Sequence, residues 1–178
     1  MGRGLVIVDI QNDYFPGGRH ELVGSKDAAA RAARVLERFR DRGEPVFHVQ
    51  HIWEGDGAEF FEPGTPGVEI HDDVRPADGE PVVQKHHPNS FRETDLEQRL
   101  RDAGVTDVVV AGMMTSMCVD ATVRAAADLG FGCTVVHDAC ATLDLEFGGR
   151  TIPAASVQGA FLAALGDGYA TVTSADDV

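Results

Sequence analysis

The sequence predicts an α/β fold, a three-layer sandwich in which a mostly parallel six-stranded sheet carries helices on both faces. Three observations predict it. Short apolar, β-branched runs alternate with helix-length amphipathic segments along all 178 residues, the pattern of strand–helix–strand crossovers. The runs are continuous rather than alternating, as strands buried on both faces require. The chain is 43% apolar, enough to fill one core. No internal repeat, low-complexity tract or linker divides it, so residues 1–178 read as a single domain.

The elements follow in order. Residues 5–8, Leu5-Val6-Ile7-Val8, form the first strand. Residues 25–42 form a helix: Ala28, Ala32, Val35, Leu36 and Phe39 recur at helical spacing and Gly43 stops it. Residues 45–52 are a second strand and 81–84 a short third. Thr94-Asp95-Leu96-Glu97 has capping-box spacing, so a helix starts there and ends near Gly104. Residues 107–112, with Val108-Val109-Val110-Ala111, are the next strand, followed by a helix over 116–129 that Gly130 ends. A strand at 133–137, a helix over 153–165 with Pro153 near its first turn, and a short strand at 170–173 complete the chain.

Residues 54–81 break the pattern. They hold nine Gly or Pro, and nine acidic residues against one basic, Arg75. A segment this long without periodicity reads as a lid or pocket wall, or as a plain surface excursion. Its acidic surplus suits a neutral or cationic substrate.

Charge and cysteine usage narrow the class. A net charge of −14 with no run of Lys or Arg argues against a nucleic-acid partner or an anionic membrane. Three cysteines, none in a C-x-x-C pair, and an N-terminus that enters the first strand without a leader point to a reducing, cytoplasmic setting without disulfides.

Ligands in such sheets bind beyond the carboxyl ends of the strands. Asp9 sits there on the first strand, where partial desolvation favours proton shuttling; it would equally start a turn. Lys85 leaves the third strand and could pair with a carboxylate or with a thiol, or simply be solvated. Cys118 falls in the first turn of the helix after 107–112. The positive helix end and its free N–H groups there favour thiolate and could serve as an oxyanion hole. Cys133 fits an ordinary core cysteine, and Cys140 reads either way. The seven histidines do not make metal-ligand spacings: His48 and His51 point to opposite faces of a strand, and no H-E-x-x-H occurs. Neither a metal nor another cofactor is expected, and no G-x-G-x-x-G or P-loop pattern follows a strand.

Asp9, Lys85 and Cys118 together resemble the isochorismatase-like cysteine hydrolases, a family that includes nicotinamidases and N-carbamoylsarcosine amidases. Val6-Ile7-Val8-Asp9-Ile10-Gln11-Asn12-Asp13-Tyr14-Phe15 resembles the family's opening segment. Gly64-Thr65-Pro66-Gly67 with Glu69 and His71 resembles its second motif, and Lys85 with Ser90-Phe91 and Thr94-Asp95-Leu96 its lysine segment. Gly112-Met113-Met114-Thr115-Ser116-Met117-Cys118-Val119 with Thr122 and Ala125 resembles its nucleophile segment. The resemblance spans residues 4–173 and implies an Asp–Lys–Cys triad acting on a C–N bond of a small molecule through a thioester. It also implies a cis peptide at Met113–Met114, an oxyanion hole from the Met114 and Cys118 N–H groups, and a homo-oligomer, dimer or tetramer. Phe15, Trp53, Phe60 and Phe91, with Phe61, are candidates to line the substrate pocket. The positions that carry a metal in nicotinamidases map to His51, Trp53 and the vicinity of Phe60, so a metal-dependent nicotinamidase is not expected. Isochorismatases proper generally lack the cysteine, so Cys118 favours amide, carbamoyl or lactam cleavage. Two other readings remain at this point: a Mg²⁺-dependent phosphoryl-transfer hydrolase using Asp9 and Asp13, and a non-catalytic binding protein on the same fold.

Overall fold

The computed structural model describes residues 2–178. In chain order it contains β1 (Gly2–Val8), α1 (Ser25–Asp41), β2 (Val46–His51), β3 (Val82–Lys85), α2 (Leu96–Asp102), β4 (Val105–Met113), α3 (Asp120–Asp128), β5 (Gly132–Ala141), β6 (Leu145–Phe147), β7 (Arg150–Ile152), α4 (Ala154–Gly168) and β8 (Thr171–Thr173). Six strands form one sheet in the order β3-β2-β1-β4-β5-β8. Every neighbouring pair is parallel, so the sheet is wholly rather than mostly parallel.

Continuous apolar strands fold this way because both faces are covered. Leu5 and Ile7 of β1 enter one core with Ala28, Ala32, Val35, Leu36 and Phe39 of α1. Val6 and Val8 point the other way, into a second core with Leu96 and Leu100 of α2, Val123 and Ala126 of α3, and Leu165 of α4. The chain builds β1, β2 and β3 outward in one direction and then returns to place β4 on the other side of β1. The carboxyl ends of β1 and β4 therefore flank a topological switch point. Gly112 makes their close approach possible: at φ +146° it pairs with Val8, and a Cβ there would lie 2.0 Å from the Val8 carbonyl oxygen.

Four local features depart from the sequence expectation. The chain entering α3 makes a π turn over Thr115–Val119 rather than an α-helical start at residue 116. The capping box at residues 94–97 does not form: the Thr94 hydroxyl donates to the Ser90 carbonyl at 2.6 Å, and Asp95 pairs with Arg99 at 2.7 Å. β5 continues four residues past 137. β6 and β7 form an antiparallel hairpin that was not expected, turning through Gly148 and Gly149 at φ +60° and +74°, the conformation a tight two-residue hairpin demands.

Residues 54–81 are ordered around two short 3-10 turns, Pro66–Val68 and Asp72–Val74. They bury Phe61, Val68 and Val74 and bridge Ile70 to Gln11. Among the described residues, no helix is long and apolar enough to cross a membrane.

Candidate active site

Asp9, His51, Lys85 and Cys118 arrive at one place from the carboxyl ends of four neighbouring strands. Asp9 follows β1 in a left-handed conformation, φ +50°, with its N–H donating to the Val49 carbonyl. Its side chain is wholly buried, and Oδ1 has no hydrogen-bond partner. Lys85 closes β3, and its Nζ lies 2.8 Å from Asp9 Oδ2 and donates to the Pro88 carbonyl at 2.8 Å. Cys118 sits in the π turn after β4, buried, with Sγ 3.9 Å from His51 Nδ1. His51 Nδ1 is also 3.9 Å from Asp9 Oδ2. The Met113–Met114 peptide is cis, where the resemblance placed it. Met117 and Val119 N–H groups close on the Met114 carbonyl, while the leading N–H groups of such a turn have no partner in its own ladder.

The charges are set by burial and by each other. Burial pushes the Cys118 thiol well above the ordinary range, Asp9 raises it further, and Lys85 works against both. Desolvation, the largest of these influences, works against the thiolate that a helix start favours. Burial also works against the Lys85 charge, but Asp9 and Cys118 beside it prevail and raise its pKa. Burial lowers the His51 pKa, with Asp9 opposing and Lys85, His86 and His87 assisting, so the imidazole is neutral at pH 7. Tyr14 is buried close by; burial, Cys118, Asp9 and Asp13 all hold its phenol protonated.

The aromatic candidates separate. Trp53 and Phe60 meet edge to face with centroids 5.7 Å apart. Phe60 stacks on His20 at 4.4 Å, and Phe61 fills the space between Tyr14 and His51. Phe60 and Phe61 of this wall belong to the 54–81 segment, and Phe61 meets the His51 ring with centroids 5.9 Å apart. Phe15 stacks on His71 at 3.7 Å. Phe91 does not join them: its ring stacks on Phe131, 6.2 Å away, over the core formed by α2 and α3. Of the acidic residues in the segment, Glu62 is neutralised by Arg19 at 2.5 Å and Glu80 by Arg40 at 2.7 Å.

Donor atoms of Asp9, His51 and Cys118 lie within 4.8 Å of one another, the spacing of a metal site. The Lys85 ammonium, 2.8 Å from the same Asp9 oxygen, puts a cation where the ion's own charge would have to sit, so the set fits a metal poorly. The Asp9–Asp13 pairing needed for Mg²⁺ chemistry is not offered. Asp13 accepts from Phe61 N–H at 2.6 Å and Arg19 N–H at 3.2 Å and packs against Gly67. Its task is to pin the 54–81 segment. Sequence reasoning missed Tyr14 and His20 and saw His51 only as a position where nicotinamidases hold metal. The signal that places His51 in the site is register, since it pairs directly with Lys85 across β2 and β3.

The Isochorismatase domain family model matches residues 3–176. The chain is 52% identical to YddQ, an uncharacterized isochorismatase family protein of Bacillus subtilis, over 99% of this chain and 98% of that one. It is 38% identical to a streptothricin hydrolase of Streptomyces noursei, covering 93% of this chain and 66% of that one. Among solved structures, an isochorismatase from Pseudomonas putida superposes with a TM-score of 0.94 at 36% identity, covering 99% and 89% of the two chains. N-carbamoylsarcosine amidase from Thermoplasma acidophilum superposes with a TM-score of 0.85 at 29% identity, covering 100% and 99%.

Proposed function

The chain belongs to the isochorismatase family, and on that premise we propose that it is a cysteine-dependent hydrolase cleaving an amide, carbamoyl or lactam C–N bond of a small molecule. The observation that carries the reading is the buried Asp9–Lys85 pair, 2.8 Å apart, set beside a buried Cys118. The kinship with an amidase of a carbamoyl compound and with a streptothricin hydrolase supports the bond type.

Chemistry follows from the resting charges. Cys118 is a thiol, so attack on a carbonyl requires its proton to leave as the S–C bond forms. Asp9, with an unpartnered oxygen in the site, accepts that proton and gives it to the departing nitrogen. Lys85 holds the carboxylate in place and favours the thiolate as it forms. The N–H groups of Met114 and Cys118 receive the oxyanion. Cleavage leaves a thioester, which water hydrolyses. Trp53, Phe60 and Phe15 form the apolar side of the substrate pocket, and Phe91 serves the core instead.

The enzyme acts as a homo-oligomer, dimer or tetramer. The exposure of Phe147 and Ile152 on the β6–β7 hairpin supports this, as does the small, uncharged outer face of α4 at Ala155, Gly159, Ala160 and Ala163.

A panel of small amides, ureido acids and lactams, assayed by ammonia or amine release, tests the reading. Wild type should turn over at least one class, and Cys118→Ala should lose activity by about 10³-fold or more while keeping its fold. Activity that survives in Cys118→Ala would remove the cysteine mechanism.

A further inference from the structure

The Asp9–Lys85–Cys118 arrangement leaves one well-placed group without a task. His51 closes β2 opposite Lys85, and its ring is only 15% exposed. Its backbone is held on both sides by one side chain: His51 N–H donates to Gln11 Oε1 at 2.8 Å, and Gln11 Nε2 donates to the His51 carbonyl at 2.9 Å. Gln11 is itself wholly buried and donates to the Val68 carbonyl at 2.7 Å, so the clamp is fixed to the docked 54–81 segment. The ring is thereby aimed at the nucleophile, with Nδ1 equidistant, 3.9 Å, from Cys118 Sγ and Asp9 Oδ2. At that distance Nδ1 is not hydrogen-bonded to the carboxylate; its partner is the Cys118 sulfur, which carries no proton once acylated, so in the Nε2–H tautomer the Nδ1 lone pair then faces the thioester.

Hydrolysis through a thioester moves two protons. The thiol proton travels to the leaving nitrogen, and Asp9 serves that transfer. The second proton comes from the attacking water and must end on sulfur. We propose that His51 is the general base of this second half-reaction, activating the water that hydrolyses the Cys118 thioester. The inference rests on the cysteine-hydrolase reading above. As the water oxygen bonds to the acyl carbon, the water proton passes to His51 Nδ1. The C–S bond then breaks with its electron pair on sulfur, and Nδ1 returns the proton to Sγ, from which it is 3.9 Å away. One water is consumed per C–N bond cleaved, and Asp9, His51 and Cys118 end as they began. Burial that keeps the imidazole neutral at pH 7 suits it to accept that proton.

p-Nitrophenyl acetate separates the half-reactions, because its leaving group departs without a proton. Wild type should show a burst of p-nitrophenolate, acetylating Cys118, followed by slower turnover. His51→Asn and His51→Gln should keep the burst, slow the steady state by about 10²-fold, and accumulate acetyl-Cys118 by intact mass. Hydroxylamine, which attacks thioesters without a base, should restore turnover in both variants. The intact burst itself certifies that a variant is folded. An unchanged steady state, or a burst lost in proportion to turnover in both variants, overturns the role of His51 and leaves Cys118 as nucleophile. Absence of Cys118 acetylation in wild type overturns the cysteine-hydrolase reading, and this inference with it.

Discussion

The proton on Cys118 answers to two neighbours of opposite sign. Asp9 raises the thiol's pKa and Lys85 lowers it, after burial has already pushed it up. Removing each neighbour therefore has opposite consequences for the resting thiol and the same consequence for turnover. Asp9→Asn leaves the Lys85 charge facing sulfur alone, so more thiolate is present and iodoacetamide should alkylate Cys118 faster than in wild type near pH 8. Hydrolysis should nonetheless fall by about 10²-fold or more, because no carboxylate carries the proton to the leaving nitrogen. Lys85→Met should slow alkylation and also strand a buried carboxylate, lowering stability by about 3–5 kcal/mol in urea denaturation. Peptide mass spectrometry reads Cys118 separately from Cys133 and Cys140, whose thiols burial pushes up to about 11 and about 12. Alkylation slowed in Asp9→Asn would contradict this charge arrangement. These three residues are legible in the sequence because each lies at or just past an apolar run that ends at the same edge of the sheet. His51 is not, because its neighbour Lys85 is 34 positions away and is brought beside it only by β2–β3 register. Tyr14 is hidden for a related reason, since it lies in an irregular turn whose direction no periodicity reveals.

Elements that close the site are held by contacts of equally long range. The 54–81 segment is pinned at one end by Asp13, through Phe61, and at the other by Glu80. Glu80 accepts from Arg40 of α1 at 2.7 Å, from Ala77 N–H at 2.9 Å, and lies 2.8 Å from the buried His48 of β2. Burial alone would raise the Glu80 carboxyl; Arg40, Ala77 N–H and His48 outweigh it and hold the pKa at about 2. A folded-state pKa below the ordinary 4.5 means that Glu80 stabilises the fold above that pH and loses its contribution as pH falls toward about 2. Glu80→Gln should accordingly cost about 2 kcal/mol at neutral pH, a difference that shrinks as urea denaturation is repeated below about pH 4.5. A constant difference across that window would assign the loss to packing instead. Strands and long helices were readable from period and apolar run length. The π turn and the failed capping box were not, since the Thr94 hydroxyl is taken by Ser90 and the turn over Thr115–Val119 is shaped by the chain leaving β4. The hairpin at Gly148-Gly149 was not readable either, because its three-residue strands are too short to show alternation.

At the scale of the whole molecule, the distribution of charge separates one face from the rest. The chain carries −14 overall, yet the outer face of α4 presents Ala155, Gly159, Ala160, Ala163 and Ala164, with charge only at Asp167 near its end. The β6–β7 hairpin exposes Phe147, at 80%, and Ile152. Met117, immediately before the nucleophile, is also exposed at 47%. An anionic monomer gains from covering such a surface with another copy of itself, because exposed apolar area is removed from water. Light scattering on the wild-type chain should therefore give a molar mass that is a multiple of the single chain. Phe147→Asp places a charge at the most exposed of these large apolar side chains and should shift the mass toward one chain. Because Met117 adjoins Cys118 in sequence, the same variant tests whether the partner finishes the pocket. A monomeric Phe147→Asp that keeps its acylation burst and its KM shows that each subunit holds a whole site. One that keeps its fold but gains a higher KM shows that the second copy supplies part of the substrate wall. Wild type eluting and scattering as one chain at all concentrations would leave the apolar face unpaired and remove the homo-oligomer from the proposal.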